Sequence, residues 1–246
     1  MVLVTATAGE AGLSDGTGQH TSLGARRRVE LARAASALGC ARWEVLDYPD
    51  SGWSPPGGPD ERPQEPAATS FSALDPSGPA ARLAEILSEE RADVLTIYDE
   101  HGGYGHPDHV QVHRVGVLAA AMAGTPTVLE ATVDRRRLRR VASVMHWLPG
   151  LSRLVPPGRL ASSFVERTEL THEVDVRRHI AAKRAALAAH HSQATGGGSI
   201  RTVTLLLRLP GPVLGVALGR EWFRERGRAP QAQLLDDVFA SVRPRG

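Results

Sequence analysis

Asp93-Val94-Leu95-Thr96-Ile97-Tyr98 runs without a break into Asp99-Glu100-His101-Gly102-Gly103-Tyr104-Gly105-His106-Pro107-Asp108-His109. The first six residues are a short, largely apolar and β-branched run, which reads as a strand. Pro107 has the fixed φ and the missing N–H that suit the first position of a helix. A helix is therefore predicted from Pro107 to about Met122. The glycines at 102, 103 and 105 permit the close turns that such a junction needs. In open α/β sheets, ligands collect outside the carboxyl ends of the strands, and this junction follows one.

Working outward, the same alternation appears on both sides. Met1 to Thr7 reads as a strand and Ala8 to Gly12 as the loop at its end. A helix spans about Leu23 to Leu38, with Leu23, Val29, Ala32, Ala35 and Leu38 as its apolar stripe and Gly39 as its C-cap. Trp43 to Leu46 is a second strand, ending in Asp47-Tyr48-Pro49-Asp50-Ser51-Gly52-Trp53. Residues 54–79, rich in Pro, Gly, Ser and Ala, read as a long inserted surface loop. A helix from about Pro79 to Glu90 leads into the central strand, and Thr127 to Val133 is another strand. Strands alternating with helices predict a Rossmann-like α/β fold, a mostly parallel sheet flanked by helices. The C-terminal part is less regular. It holds one or two strands within Phe164 to Val174, a helix from Val176 to His190, and residues 196–246 as an extension. The expectation is a single α/β domain over residues 1–246.

Composition narrows the classes. The chain has 246 residues, 41% hydrophobic and 23% charged, which suits a folded domain and not a disordered one. A single cysteine, Cys40, excludes an internal disulfide framework and a cysteine-based zinc finger, and reads as a small buried residue. The net charge is +2, and Lys183 is the only lysine among 29 basic residues. The arginine run at 135, 136, 137, 139 and 140 has no interleaved aromatics, so it reads as a solvated face rather than a nucleic-acid site. The most apolar window, 202–218, is interrupted by Arg208, Pro210 and Pro212, so no membrane span is expected. The first residues lack the basic region of a signal peptide. A cytoplasmic protein is expected, with a small-molecule partner, no nucleic acid, and homo-oligomerisation left open.

The segment from Tyr98 to His113 carries the chemistry. It holds two Asp, a Glu, two Tyr and the histidines 101, 106, 109 and 113. The residue before a proline is biased to extended backbone, which places His106 near the N-cap and His109 near the third helical position, one turn on and on the same side. The positive end of the helix dipole disfavours an imidazolium, so His109 is expected to be neutral, the form that a metal binds. His101 and His113 read as cap or surface residues. His109 and His113 are spaced like the two histidines of a zinc-protease helix, but Val110 stands where that motif needs Glu. Gly196-Gly197-Gly198 lacks the lysine of a phosphate-binding loop.

Gly102-Gly103-Tyr104-Gly105-His106-Pro107-Asp108-His109 resembles the second signature of the LmbE/PIG-L-type zinc de-N-acetylases. That family includes N-acetylglucosaminyl-phosphatidylinositol de-N-acetylases and the deacetylase and amidase of mycothiol metabolism. Other segments match in order. Val4 to Gly12 resembles the family's Thr-x-Gly-Glu-x-Gly loop, and Leu23 to Leu31 its Arg-x-x-Glu helix. Asp50-Ser51-Gly52 resembles its Asp-Ser-Gly turn, and Lys183 to Gln193 its Lys…His-x-Ser-Gln segment. The match covers roughly residues 1–195.

The resemblance implies a hydrolase that removes an N-acyl group from an amino sugar or its conjugate with the help of zinc. It implies that His109 is a zinc ligand, that His106 protonates the leaving amine with Asp108 orienting it, and that Tyr104 hydrogen-bonds the oxyanion. Arg27, Asp50 and Glu10 match positions that contact the substrate. The family's first signature, Ala-His-Pro-Asp-Asp-Glu, is not found, and the chain begins where the family's second strand is expected. That signature supplies two zinc ligands and the general base. The expectation is accordingly a sheet without its first strand and a chain that is inactive as it stands. A metal-free vestigial or sugar-binding paralogue is the alternative.

Overall fold

The computed structural model describes residues 1–9, 20–53, 66–136, 165–190 and 206–243. They fall into two compact units, one formed by Met1–Leu74 with Val176–Gly219, the other by Asp75–Asp175 with Arg220–Gly246.

In the first unit, β1 (Val2–Thr5) pairs in parallel with β2 (Arg42–Val45), Val2 opposite Arg42 and Thr5 opposite Val45. Between them in sequence runs α1 (His20–Ala37). It stops where Gly39 takes a left-handed φ of 70° and the Cys40 N–H donates back to the Ala35 carbonyl at 2.9 Å. The buried face of α1 matches the predicted stripe only in part. Leu23, Glu30, Ala34 and Ala35 are buried, whereas Val29 is 51% and Leu38 40% exposed. The alanine-rich helix α5 (Ile180–Ala189) packs against α1. A short helix, α6 (Gly211–Leu218), follows, and the Lys183 ammonium donates to its terminal Leu218 carbonyl at 3.1 Å. Cys40 is a half-buried free thiol.

The described part of the expected surface loop is partly core. Phe71, in a 3-10 turn over Phe71–Ala73, is fully buried. Its N–H donates to the Pro49 carbonyl at 2.8 Å, and its ring centroid lies 5.6 Å from that of Tyr48. An aromatic ring contributes enough on burial to anchor a loop of otherwise small residues.

The second unit is built on a four-stranded sheet in the order β3 (Val94–Tyr98), β4 (Thr127–Thr132), β6 (Arg220–Glu225), β5 (His172–Asp175). β3 and β4 are parallel, with Tyr98 opposite Ala131. β6 is antiparallel to both its neighbours. Residues 220–225 are therefore an interior strand and not part of a C-terminal extension. Trp222 and Phe223 anchor it in the core, with Trp222 packed on Val165 and Leu170.

Helices α2 (Ser77–Glu89) and α4 (Pro107–Ala123) pack on one another, and α4 also on β3. α2 starts two residues before the predicted Pro79, because the Asp75 carboxylate accepts the Ser77 N–H at 2.9 Å. Where α4 crosses β3, a Cβ on Gly116 would lie 2.6 Å from Ile97 Cγ2, so glycine sets the helix-to-sheet distance. No helix among the described residues is long and apolar enough to cross a membrane.

Candidate active site

The site forms at the carboxyl end of β3. The chain leaves the sheet through Asp99, whose side chain is buried. Its Oδ1 accepts the N–H groups of His101 at 3.1 Å and Gly103 at 2.9 Å, and its Oδ2 accepts the Thr132 hydroxyl at 3.1 Å. The helical turn α3 (Gly102–Gly105) follows, with φ of 64°, 67° and 87° at its three glycines. A Cβ on Gly102 would come within 2.8 Å of the Val110 nitrogen and 3.0 Å of the His109 Cβ, so the turn lies directly on the start of α4.

His106 is extended (φ −68°, ψ 127°), as its place before Pro107 requires, and is the N-cap of α4. Its Nδ1 accepts the Asp108 N–H at 3.2 Å. A nitrogen that accepts carries no hydrogen, so in the neutral ring the N–H is on Nε2. His109, the third helical residue, has the opposite arrangement. Its Nδ1 lies 3.3 Å from the Gly102 carbonyl. A carbonyl only accepts, which puts the hydrogen on Nδ1 and leaves the lone pair on Nε2.

The rings form one stack. His109 lies face to face with Tyr98 at 3.9 Å between centroids, and 4.7 Å from His106. Tyr104, largely exposed, presents an edge to His109 at 5.3 Å and to His106 at 6.0 Å. Asp108 is buried, with Oδ2 3.9 Å from His106 Nδ1. Burial first, and the neighbouring His106 second, push the proton affinity of His109 down to a pKa of about 4, against the opposing pull of the Gly102 carbonyl and Asp108. His109 is thus neutral at pH 7 as expected, with burial as the leading cause.

The structure brings Tyr104, His106, Asp108 and His109 together. His113, expected at a cap or on the surface, is a tie instead. Its Nδ1 lies 3.2 Å from the Tyr98 carbonyl and 3.7 Å from the buried Glu130 carboxylate. Arg27 and Asp50 belong to the other unit. There Arg27 donates to the Gly9 carbonyl, and Asp50 Oδ1 accepts the Gly52 N–H at 2.6 Å, closing the Asp-Ser-Gly turn. Glu10, His191, Ser192, Gln193 and Gly196 to Gly198 lie outside the described residues.

Two features escaped the sequence reading. Asp99 carried a usable signal, since an Asp leading into glycines favours a side-chain turn. The other is Arg224, whose Nε donates to Glu130 at 2.6 Å and whose Nη2 donates to Glu100 at 3.1 Å. Its hydrogen bond holds the Glu100 carboxyl below its ordinary range. Nothing local in the sequence announces that pairing.

His109, with Nδ1 committed and Nε2 bare, has the donor chemistry of a zinc ligand. Among the described residues, no three His, Cys, Asp or Glu side chains converge to hold a metal ion. These residues alone do not make up a zinc centre.

The fold and these groups define an α/β protein with an imidazole-, phenol- and carboxylate-bearing site at a strand-to-helix junction. The chain belongs to the PIG-L family, described as GlcNAc-PI de-N-acetylase, which matches residues 1–120. It is 31% identical over 277 residues to a 1D-myo-inositol 2-acetamido-2-deoxy-alpha-D-glucopyranoside deacetylase of Nocardioides sp., covering 98% of this chain and 89% of that protein. It is 36% identical over 220 residues to the protein of the same name from Nocardiopsis dassonvillei, covering 80% of this chain and 76% of the relative.

Among solved structures, N,N'-diacetylchitobiose deacetylase from Pyrococcus horikoshii aligns with a TM-score of 0.56 at 17% identity, covering 91% of this chain and 72% of its own. GalB, the 4-carboxy-2-hydroxymuconate hydratase from Pseudomonas putida KT2440, aligns at 0.52 and 14% identity, over 95% of this chain and 98% of its own. At such identities the likeness establishes the fold, and one fold serves both a deacetylase and a hydratase.

Proposed function

We propose that this protein removes the N-acetyl group from an amino sugar carried on a small polar aglycone such as inositol, in a zinc-dependent reaction. The observation that carries this reading is the paired imidazoles at the start of α4. One presents a protonated Nε2 and the other a bare Nε2, from rings 4.7 Å apart. The curated relatives' names supply the sugar and the inositol.

In hydrolysis of the amide, the leaving nitrogen must gain a proton. As the imidazolium, His106 gives up the bond from the Asp108 N–H and carries a hydrogen on Nδ1 as well as on Nε2. Nδ1–H then faces Asp108 Oδ2, 3.9 Å away, so the carboxylate steadies the charged acid. Nε2–H is the proton delivered to the amine. The Tyr104 hydroxyl is a donor for the oxygen that gains charge as the carbonyl is attacked. Among the described residues, His109 is the one that would hold zinc, together with ligands that they do not supply, and the metal would activate water in such a hydrolysis. Arg27 and Asp50, with Glu10, are proposed to bind the sugar.

The test is acetate release from N-acetylglucosaminyl-inositol and from free N-acetylglucosamine, with sugar binding followed by calorimetry. Release or binding that favours the inositol glycoside, with release lost in His106→Ala, supports the reading. A protein that neither cleaves nor binds any N-acetyl amino sugar overturns it.

A further inference from the structure

Asp99 takes no part in the proton transfers above, yet its carboxylate is fully engaged. It is 1% exposed, sits one residue beyond β3, and accepts three hydrogen bonds. One comes from Thr132 at the end of the neighbouring strand β4. Two come from the backbone of the turn that follows, at His101 and Gly103. Its own carbonyl accepts a fourth, from the Gly102 N–H at 2.9 Å. Gly102 is thus gripped from both sides, and its carbonyl is the group that faces His109 Nδ1 at 3.3 Å. The fit leaves no slack, because even a Cβ on Gly102 would collide with the first turn of α4.

We infer that Asp99 is a positioning residue. It ties the turn to the sheet so that the Gly102 carbonyl fixes the ring orientation of His109 and keeps its hydrogen on Nδ1. The physical reason is that three of the four residues of the turn, Gly102, Gly103 and Gly105, are glycines at positive φ, with no side chains of their own to hold them. Hydrogen bonds to a carboxylate are about twice as strong as those between neutral groups, and here they are sheltered from water. Without them the carbonyl is free to swing, and His109 can exchange its hydrogen between nitrogens. Ring partners of this kind typically change metal affinity 10- to 100-fold. The consequence for metal binding rests on the proposed role of His109; the consequence for the tautomer does not.

The experiment uses the full 246-residue chain with 15N-labelled histidine. Long-range proton–nitrogen spectra at pH 8 read the tautomer of each neutral ring. In the unaltered protein His109 is expected as a single species with its hydrogen on Nδ1. Asp99→Ala is expected to move both His109 nitrogens toward averaged positions and, where zinc is taken up, to weaken it by about 10- to 100-fold. Asp99→Asn can still accept from both N–H groups of the turn and donate to the Thr132 oxygen, so it is expected to restore the signal and the affinity.

If Asp99→Ala does not fold, Thr132→Val replaces it. That change releases the carboxylate from β4 and must move the same resonances in the same direction. A folded Asp99→Ala, or failing that Thr132→Val, with unmoved His109 resonances overturns the inference. A protein that binds no zinc but shows the tautomer change upholds the positioning role and removes His109 from metal binding.

Discussion

His106 and His109 are proposed to differ in role, and the physical basis is that their Nδ1 atoms face opposite kinds of partner. An N–H donor at His106 and a carbonyl acceptor at His109 force opposite tautomers on two rings in contact. Substituting each separates the roles. His106→Ala is expected to lower turnover by about 10² to 10⁴-fold, the range for loss of a general acid, without changing metal content. Where zinc is taken up with the ligands of the family's first signature supplied, His109→Ala is expected to abolish metal uptake and with it the reaction. Metal analysis and steady-state rates on both variants check this, and the reverse pattern would exchange the two assignments. The His106 N-cap bond also makes a structural contribution. Losing a cap typically costs about 1 kcal/mol, so His106→Ala is expected to melt slightly earlier than the parent.

At the level of elements, two contacts, one between α4 and the sheet and one between strands of the sheet, differ in how openly the sequence declares them. Gly116 meets Ile97 where helix crosses strand. Gly116→Ala is expected to destabilise the fold by about 1–3 kcal/mol, because the backbone or Ile97 must shift to admit the methyl group. Chemical denaturation of the variant measures this, and an unchanged midpoint would show that Ile97 gives way freely.

The second contact is electrostatic. Glu130, 1% exposed on β4, is paired with Arg224 opposite it on β6, and the same arginine reaches Glu100 at the edge of the site. Arg224→Met would leave a buried carboxylate short of its main counter-charge. It is expected to cost roughly 3 kcal/mol, and Glu130→Gln in the same chain to recover part of that. Non-recovery would mean that Arg224 acts through Glu100 or packing instead.

These two contacts mark how far the sequence is legible. The strand, glycine turn, proline and helix of residues 94–123 are local, so periodicity and backbone chemistry place them closely. The meeting of His106, Asp108 and His109 follows from helix spacing alone. β6 was invisible because only Trp222 and Phe223 are apolar within a charged run, and its arginines make sense only beside Glu130 and Glu173 of its neighbours. The buried face of α1 was only partly legible for a related reason, since the helix packed against it lies some 150 residues away in sequence.

The molecule as a whole carries a pH dependence written into its buried histidines. His109 and His172 in one unit and His190 in the other all hold protons less readily than a free imidazole, each chiefly because of burial. Unfolding returns them to a pKa of about 6.5, so below that value the unfolded chain binds protons that the folded chain refuses. Their contribution to stability is complete above about pH 7. It is lost as pH falls through 6.5 toward the depressed values, about 4 for His109.

His172 allows this to be isolated. It is fully buried, and its Nδ1 lies 2.8 Å from the Thr171 hydroxyl oxygen, which already donates to the Phe223 carbonyl and accepts the Glu225 N–H. The hydrogen of His172 is therefore on Nδ1, and Nε2 is left buried without a hydrogen bond, 3.9 Å from Glu225. Arg228 adds to burial in opposing protonation, while Glu225 and Asp237 pull the other way and do not prevail. His172→Phe fills the same space, removes the orphaned nitrogen and leaves Thr171 with both its remaining partners. It is expected to match or exceed the parent in stability at pH 8, and to lose less of it between pH 7 and 5. Melting midpoints across that range, measured for the two proteins side by side, decide the matter. Parallel curves would show that His172 is already charged when folded, with Glu225 as its counter-ion.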